Sequence, residues 1–287
     1  MMNQKVIIAS DSTSDLSAEL VSRYDVKILP LTVNLGGNLY ADGLEIDPDT
    51  IYAHYEKTGE LPKTSAINIA DFEAFFGEQT KDGASMVFFT ISSTMSATYN
   101  NARLAAEEFE NVYVVDTKNL STGGGLLVIA AAEMAQAGKD AAEIAKACED
   151  MTSRVDASFV IDNLEFLRKG GRCSALAAFG ANLLNLKPCI VVKNGSMGAA
   201  KKYRGRFEVV LNQYIADRIG DALDIETERI FVTHAGCDEK IVNACVEQVK
   251  EMGVFGEVLI TRAGCTVSSH CGRNTLGVLF VRKSAVE

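Results

Sequence analysis

Short apolar runs rich in β-branched residues alternate with helical patterns along almost the whole chain, and this alternation restricts the fold more than any other feature. The strand-like runs are 5–9, 26–33, 85–91, 112–115, 157–161, 188–193, 229–233, 256–261 and 276–282. Helical spacing fills 15–23, 48–58, 70–80, 95–110, 122–137, 140–154, 163–169, 174–185, 206–223 and 238–252. Such alternation favours an α/β protein over a bundle or a sandwich. Two helix starts are well marked. Asp47-Pro48 joins a cap to proline at the first helical position, and Asp140 precedes an alanine-rich helix. Asn194-Gly195 predicts a hairpin turn after the run at 188–193.

A chain of 287 residues has room for two domains. The boundary is expected near 150–160, where a long helix ends and a segment of different character begins. The expectation is an N-terminal α/β domain over 1–155, with a mainly parallel sheet flanked by helices. A C-terminal α/β domain over 156–287 is expected to carry a mixed sheet and helices.

No apolar run approaches the roughly 18–20 residues of a membrane span. Met1-Met2-Asn3-Gln4-Lys5 runs straight into Val6-Ile7-Ile8, without a secretory pattern. A cytoplasmic protein without stable membrane insertion is expected. The net charge of −10 argues against nucleic-acid binding, which needs a basic surface. One basic island, Lys201, Lys202, Arg204 and Arg206, could meet an acidic partner or form a solvated turn. The seven cysteines include no C-x-x-C and several lie in apolar runs, so they read as reduced thiols.

Polar residues gather where apolar strands end. The densest cluster, Ser92-Ser93-Thr94-Met95-Ser96-Ala97-Thr98, follows the run at 85–91 and opens a helical pattern. Hydroxyls beside the unpaired N–H groups of a helix N-terminus suit a carboxylate or a phosphate. An ordinary N-cap is the alternative. Asp11 and Asp116 also end strands and could hold Mg²⁺ for phosphoryl transfer, which makes a phosphatase the rival function. Against it, position 13 is Thr13 where such an enzyme wants a second Asp, and Asp11 and Ser12 can instead cap the helix at 15–23. Lys63-Thr64-Ser65 reads as a polar, cap-like turn. Gly123-Gly124-Gly125 lacks a phosphate-loop pattern and reads as the start of a helix against a neighbouring backbone. His270 lies in a Ser- and Gly-rich segment, 264–274, which reads as a loop. The spacing of His234, Cys237, Cys265, His270 and Cys271 fits no standard zinc site.

Six ordered blocks resemble the DegV family of bacterial fatty-acid-binding proteins, over essentially the whole chain. They are Ile8 to Leu16, Lys63-Thr64-Ser65, Ile91 to Tyr99, Leu167 to Arg172, Leu183 to Pro188, and Ser269-His270-Cys271-Gly272. The resemblance implies one long-chain fatty acid, such as palmitate, buried between and within two α/β domains, with no other cofactor and no metal. It implies Thr64, Ser93 and His270 as carboxylate ligands, with Ser92 and Ser96 nearby. Arg172, Arg204 and Arg206 fall at positions associated with the carboxylate end or a partner face. It further implies no chemistry within the protein. Like a FakB-type subunit, the chain would present the acyl carboxylate to a fatty acid kinase of the dihydroxyacetone-kinase-like type. The N-terminal domain would supply the hydroxyls, and the C-terminal domain the acyl tunnel and the His270 loop. Burying about fourteen methylenes at roughly 0.8 kcal/mol each gives on the order of 10 kcal/mol before ordering costs. The segment 159–191 has apolar residues enough for such a tunnel, including Phe159, Ile161, Leu164 and Leu167. Ala97 replaces the family's glycine, Met95 its leucine, and Ala66-Ile67 stand where proline is usual. Cys271-Gly272-Arg273-Asn274 replaces the usual T-G-P-G.

Overall fold

The computed structural model describes residues 5–171, 186–220 and 223–286. The helical pattern at 174–185, Arg172 and Cys173 lie outside the described residues. Four parallel strands form the first sheet in the order β2 (Lys27–Leu29), β1 (Val6–Asp11), β6 (Ser85–Thr90), β7 (Val112–Asp116). A small antiparallel sheet branches from it, ordered β4 (Asn38–Ala41), β3 (Thr32–Leu35), β5 (Lys63–Ser65). The third sheet has six strands: β10 (Ser196–Arg204), β9 (Leu186–Lys193), β8 (Val155–Ile161), β13 (Thr275–Arg282), β11 (Ile225–Ala235) and β12 (Glu257–Arg262). It is mixed, because β11 and β12 run parallel while the other neighbours run antiparallel. The helices are α1 (Ala18–Arg23), α2 (Pro48–Thr58), α3 (Ile69–Thr80), α4 (Thr98–Ala106), α5 (Thr122–Gln136), α6 (Ala141–Met151), α7 (Glu165–Lys169), α8 (Phe207–Ile219), α9 (Glu239–Glu251) and α10 (Cys265–Cys271).

Alternation along the strands sorts side chains between cores. On β6, Met86 and Phe88 join Phe72 and Phe76 of α3, while Val87 and Phe89 face α5 and α6. On β13, Val278 and Phe280 pack towards α8 and α9, while Leu279 and Val281 face back to α5. Helix α5 therefore lies between the parallel and mixed sheets, which is why its residues from Thr122 to Ile129 are all buried. A helix apolar on all sides belongs in such a position. Its glycines permit the approach, since a β-carbon on Gly125 would sit 2.9 Å from the Ser14 carbonyl oxygen.

Several expected elements change form. The run 26–33 splits at Pro30, which has no N–H for a ladder, so β2 and β3 enter different sheets. Thr64 sits on strand β5, opposite Val33, and not in a turn. Asp11 caps only a 3-10 turn over Ser12–Ser14, and helix α1 takes Ser17 as its cap instead. The hairpin turn forms as expected, with positive φ at both Asn194 and Gly195. Its second strand, β10, carries Lys201, Lys202 and Arg204 of the basic island, and Arg206 stands at the start of α8. The expected loop at 264–274 contains helix α10.

Candidate functional site

The C-terminal ends of β6 and β7, strand β5, helix α10 and the β9–β10 hairpin converge on one cavity. It encloses about 580 Å³ of empty space, its open mouth included. Leu31, Ile91 and Leu120 line it from the first half of the chain, and Leu167, Met197 and Val267 from the second. A second apolar cavity of about 390 Å³ shares Leu120, Val267 and Cys271 with the first and reaches Phe159, Val192 and Leu279. The apolar lining thus comes from both halves, rather than from the C-terminal half alone. Of the expected lining, Phe159 and Leu167 face these cavities, whereas Val160 and Val191 pack with α8 and α9.

The polar groups stand at the outer end. Thr64 Oγ1 and His270 Nε2 are 3.0 Å apart. Thr64, Ser96 and His270 are half-buried and Ser65 is exposed, so this end opens to solvent. Gly170 backs the imidazole: a β-carbon there would lie 2.7 Å from His270 Nδ1. Thr266 lines the same cavity one helical turn before His270.

Helix α10 owes its position to carboxylates distant in sequence. Its N-terminus has no side-chain cap of its own. Gly264 N–H donates to Asp15 Oδ1 at 2.8 Å, and the Cys265 and Thr266 N–H groups donate to Asp42 at 2.8 and 3.1 Å. These acceptors satisfy N–H groups that a helix start leaves unpaired. Ser12 and Ser121 hydroxyls hold the two carboxylates in turn. Burial pushes the Asp15 carboxyl up to about 8, against the hydrogen bonds from Ser121 and Gly264. Sequence reasoning missed α10 because its caps lie 223 and 249 residues away. One signal was present: Thr266, Val267, His270 and Cys271 recur at helical spacing.

The serine cluster caps a helix only through Ser96, whose Oγ accepts from the Thr98 N–H at 3.2 Å. Helix α4 begins at Thr98, and Ala97 in the cap position makes no side-chain bond. The hydroxyls of Ser92, Ser93 and Thr94 are engaged elsewhere. Ser92 is buried and donates to the Gly195 carbonyl at 2.7 Å, and Thr94 donates to the same oxygen. Ser92 therefore ties the two halves together. Ser93 Oγ accepts from Lys118 Nζ at 3.4 Å, and Ser93 is not among the cavity-lining residues. Ser96 lines the wall and pairs with Thr98 Oγ1 at 2.8 Å. Residues 92–96 form a turn, with the Met95 and Ser96 N–H groups both donating to the Ser92 carbonyl. The turn points Ser93 and Ser96 in different directions.

The phosphatase reading fails on Asp11 and Asp116. Asp11 is fully buried and accepts from Thr13 N–H and Ile91 N–H, at 2.9 and 2.7 Å. Burial raises its carboxyl to about 6. Asp116 accepts from the N–H groups of Ser93 and Lys118 and pairs with Lys118 Nζ at 2.7 Å. The two strands that carry them are separated by β6, so the carboxylates do not meet. Both serve to bind loops together.

Arg204 and Arg206 are exposed, at the far end of β10 from the cavity. Met197 lines the cavity, and seven residues of strand at about 3.3 Å each put Arg204 roughly 23 Å away. Neither arginine is a neighbour of the polar end. Lys201 pairs with Asp217 at 2.5 Å. Among the described residues no group of three or more His, Cys, Asp or Glu could hold a metal ion. Cys148, Cys189, Cys237, Cys245, Cys265 and Cys271 are free thiols. No helix among the described residues is long and apolar enough to cross a membrane.

A sequence model of the DegV family, a family of uncharacterised proteins, matches residues 5–283. A DegV domain-containing protein of Clostridium perfringens is 32% identical over 289 residues, covering 97% of this chain and 98% of its own length. A DegV family protein from Thermus thermophilus, solved for its fatty acid binding, superposes with a TM-score of 0.86 at 32% identity, covering 97% and 99% of the two chains. A stearic-acid-binding protein from Eubacterium ventriosum superposes with a TM-score of 0.81 at 26% identity, covering 96% and 98%.

Proposed function

This chain belongs to the DegV family, and we propose that it binds one long-chain fatty acid, of the class of palmitate, and presents its carboxylate to a partner kinase. The observation that carries the binding is the Thr64–His270 contact at the solvent end of an apolar cavity. The carboxylate would sit against Thr64 and His270, with Ser96 on the adjoining wall. The acyl chain would run past Leu120 and Val267 into the second cavity. A protein that closes an apolar cavity with hydroxyl and imidazole donors is built for an amphiphile with one anionic end. Likeness to solved fatty-acid-binding relatives supports the ligand class.

Handing the carboxylate to an ATP-dependent kinase rests on the family resemblance. The placement of the head-group site at the cavity mouth suits it, because a second protein must reach that oxygen. Arg204 at the end of β10 and Arg206 at the start of α8 would serve docking and not ligand binding. The division at 155 would then draw Thr64 and Ser96 from one domain and the imidazole beside Thr64 from the other.

Organic extraction of the denatured protein followed by mass spectrometry tests the first claim. One acyl chain per protein is expected, and none would overturn it. Acyl-phosphate formation with ATP and a fatty acid kinase tests the second. Arg204→Ala with Arg206→Ala should slow it, more at low salt than at high, while leaving palmitate affinity unchanged.

A further inference from the structure

Thr266 is 5% exposed, and its hydroxyl has no hydrogen-bond partner among the described residues. It lines the cavity that holds Thr64 and His270. Helical Ser and Thr hydroxyls commonly bond back to a carbonyl in the preceding turn. The two serines on this helix do so: Ser268 Oγ donates to the Ala263 carbonyl at 3.1 Å, and Ser269 Oγ to the Cys265 carbonyl at 2.7 Å. Thr266 does not, although it sits on the same short helix.

The donors at the polar end explain what that hydroxyl is for. An ionised carboxylate has two oxygens that both seek donors. Thr64 Oγ1 and His270 Nε2 are bonded to each other. If Nε2 carries the proton, it donates to Thr64 Oγ1 and leaves one hydroxyl proton for a ligand. If Thr64 donates to Nε2, that proton is consumed. The contact thus releases one donor at most. Ser96 and Thr98 share one bond in which either hydroxyl can donate, so Ser96 adds one donor at most. Thr266 and His270 are four residues apart, so they share one face of the helix.

Resting on the fatty-acid reading above, we propose that Thr266 donates a hydrogen bond to the ligand carboxylate, serving the oxygen that the Thr64–His270 pair leaves open. Thr266 would then make the site prefer an acid over an alcohol of equal chain length.

The test compares Thr266→Val, which keeps the shape and removes the hydroxyl, with Thr266→Ser, which keeps the hydroxyl. Affinities for palmitate and for hexadecanol are measured on the delipidated full chain. Thr266→Val should weaken palmitate about 10-fold, the loss expected for a donor to a charged group. It should change hexadecanol less than threefold, and Thr266→Ser should retain palmitate affinity. Equal losses for both ligands, or no loss of palmitate affinity, would overturn the assignment. If Thr266→Val does not fold, Thr266→Ala read against Thr266→Ser makes the same comparison. Wild-type protein that binds neither ligand would instead overturn the fatty-acid reading itself.

Discussion

Thr64 and His270, 206 residues apart in sequence, touch at 3.0 Å where strand β5 meets the last turn of helix α10. Each removes the other's exposed polar edge and together they define the outer end of the cavity. Thr64→Val and His270→Ala should each weaken palmitate binding by roughly 10- to 100-fold. A hydrogen bond to a charged group contributes about 1.5–3 kcal/mol, at 1.4 kcal/mol per decade. Because the two are bonded to each other, the double variant should lose less than the product of the two single losses. Isothermal titration of delipidated protein gives all three numbers, and full additivity would mean the residues act apart.

Ser93 and Ser96 separate by direction. Ser96→Ala removes a hydroxyl from the cavity wall, and Ser93→Ala removes one that faces Lys118. Palmitate affinity should fall several-fold in the first and less than twofold in the second. The reverse order would return Ser93 to the carboxylate.

Gly170 and Gly171 are adjacent but do different work. A β-carbon at Gly170 meets His270 Nδ1 at 2.7 Å and the Phe166 carbonyl at 2.9 Å, whereas at Gly171 it meets nothing within 4 Å. Gly170→Ala must displace the imidazole or the turn, and should weaken palmitate binding at least 10-fold. Gly171 has φ of 65°, so Gly171→Ala should lower stability by about 1 kcal/mol while sparing affinity. Thermal melts alongside titrations distinguish the two effects.

Asp15 should make stability fall as pH rises. Its carboxyl titrates near 3.8 in the unfolded chain and near 8 when folded, chiefly through burial, with Asp42 and Asp11 adding to the rise. Between these values the folded chain holds a proton that the unfolded chain has released. The stabilisation is therefore complete below about pH 4 and is lost as pH climbs through about 8. Asp15→Asn keeps an acceptor for Gly264 N–H and cannot ionise. Urea midpoints measured at pH 5 and pH 8 should differ less in this variant than in wild type.

Much of the fold was legible because strand β6 writes its burial into its sequence: every residue from Ser85 to Thr90 is buried. The same holds for α5, whose apolar residues leave no polar face. Strands β4 and β5 were illegible, and β10 was legible only through the turn before it. They are short or polar, and pairing rather than composition makes them strands. At the site, single residues were legible but their directions were not. Nothing local distinguishes Ser93 from Ser96, because the turn that separates them is set by a carbonyl at Ser92. Helix α10 was read as a loop because Asp15 and Asp42 supply its caps from the other end of the chain. The role of Thr266 depends on an unpaired hydroxyl, which only coordinates reveal.

Strand β13 is the most C-terminal strand described, yet it lies in the interior of the mixed sheet, between β8 and β11. It cannot be added last at an edge. During synthesis β8 and β11 emerge first and must leave a gap one strand wide until Thr275–Arg282 follows. Helix α10 immediately precedes β13, so the imidazole and the strand that anchors it are made together, the imidazole 206 residues after Thr64. A chain halted before residue 275 would therefore carry Thr64 without the strand that holds His270 against it.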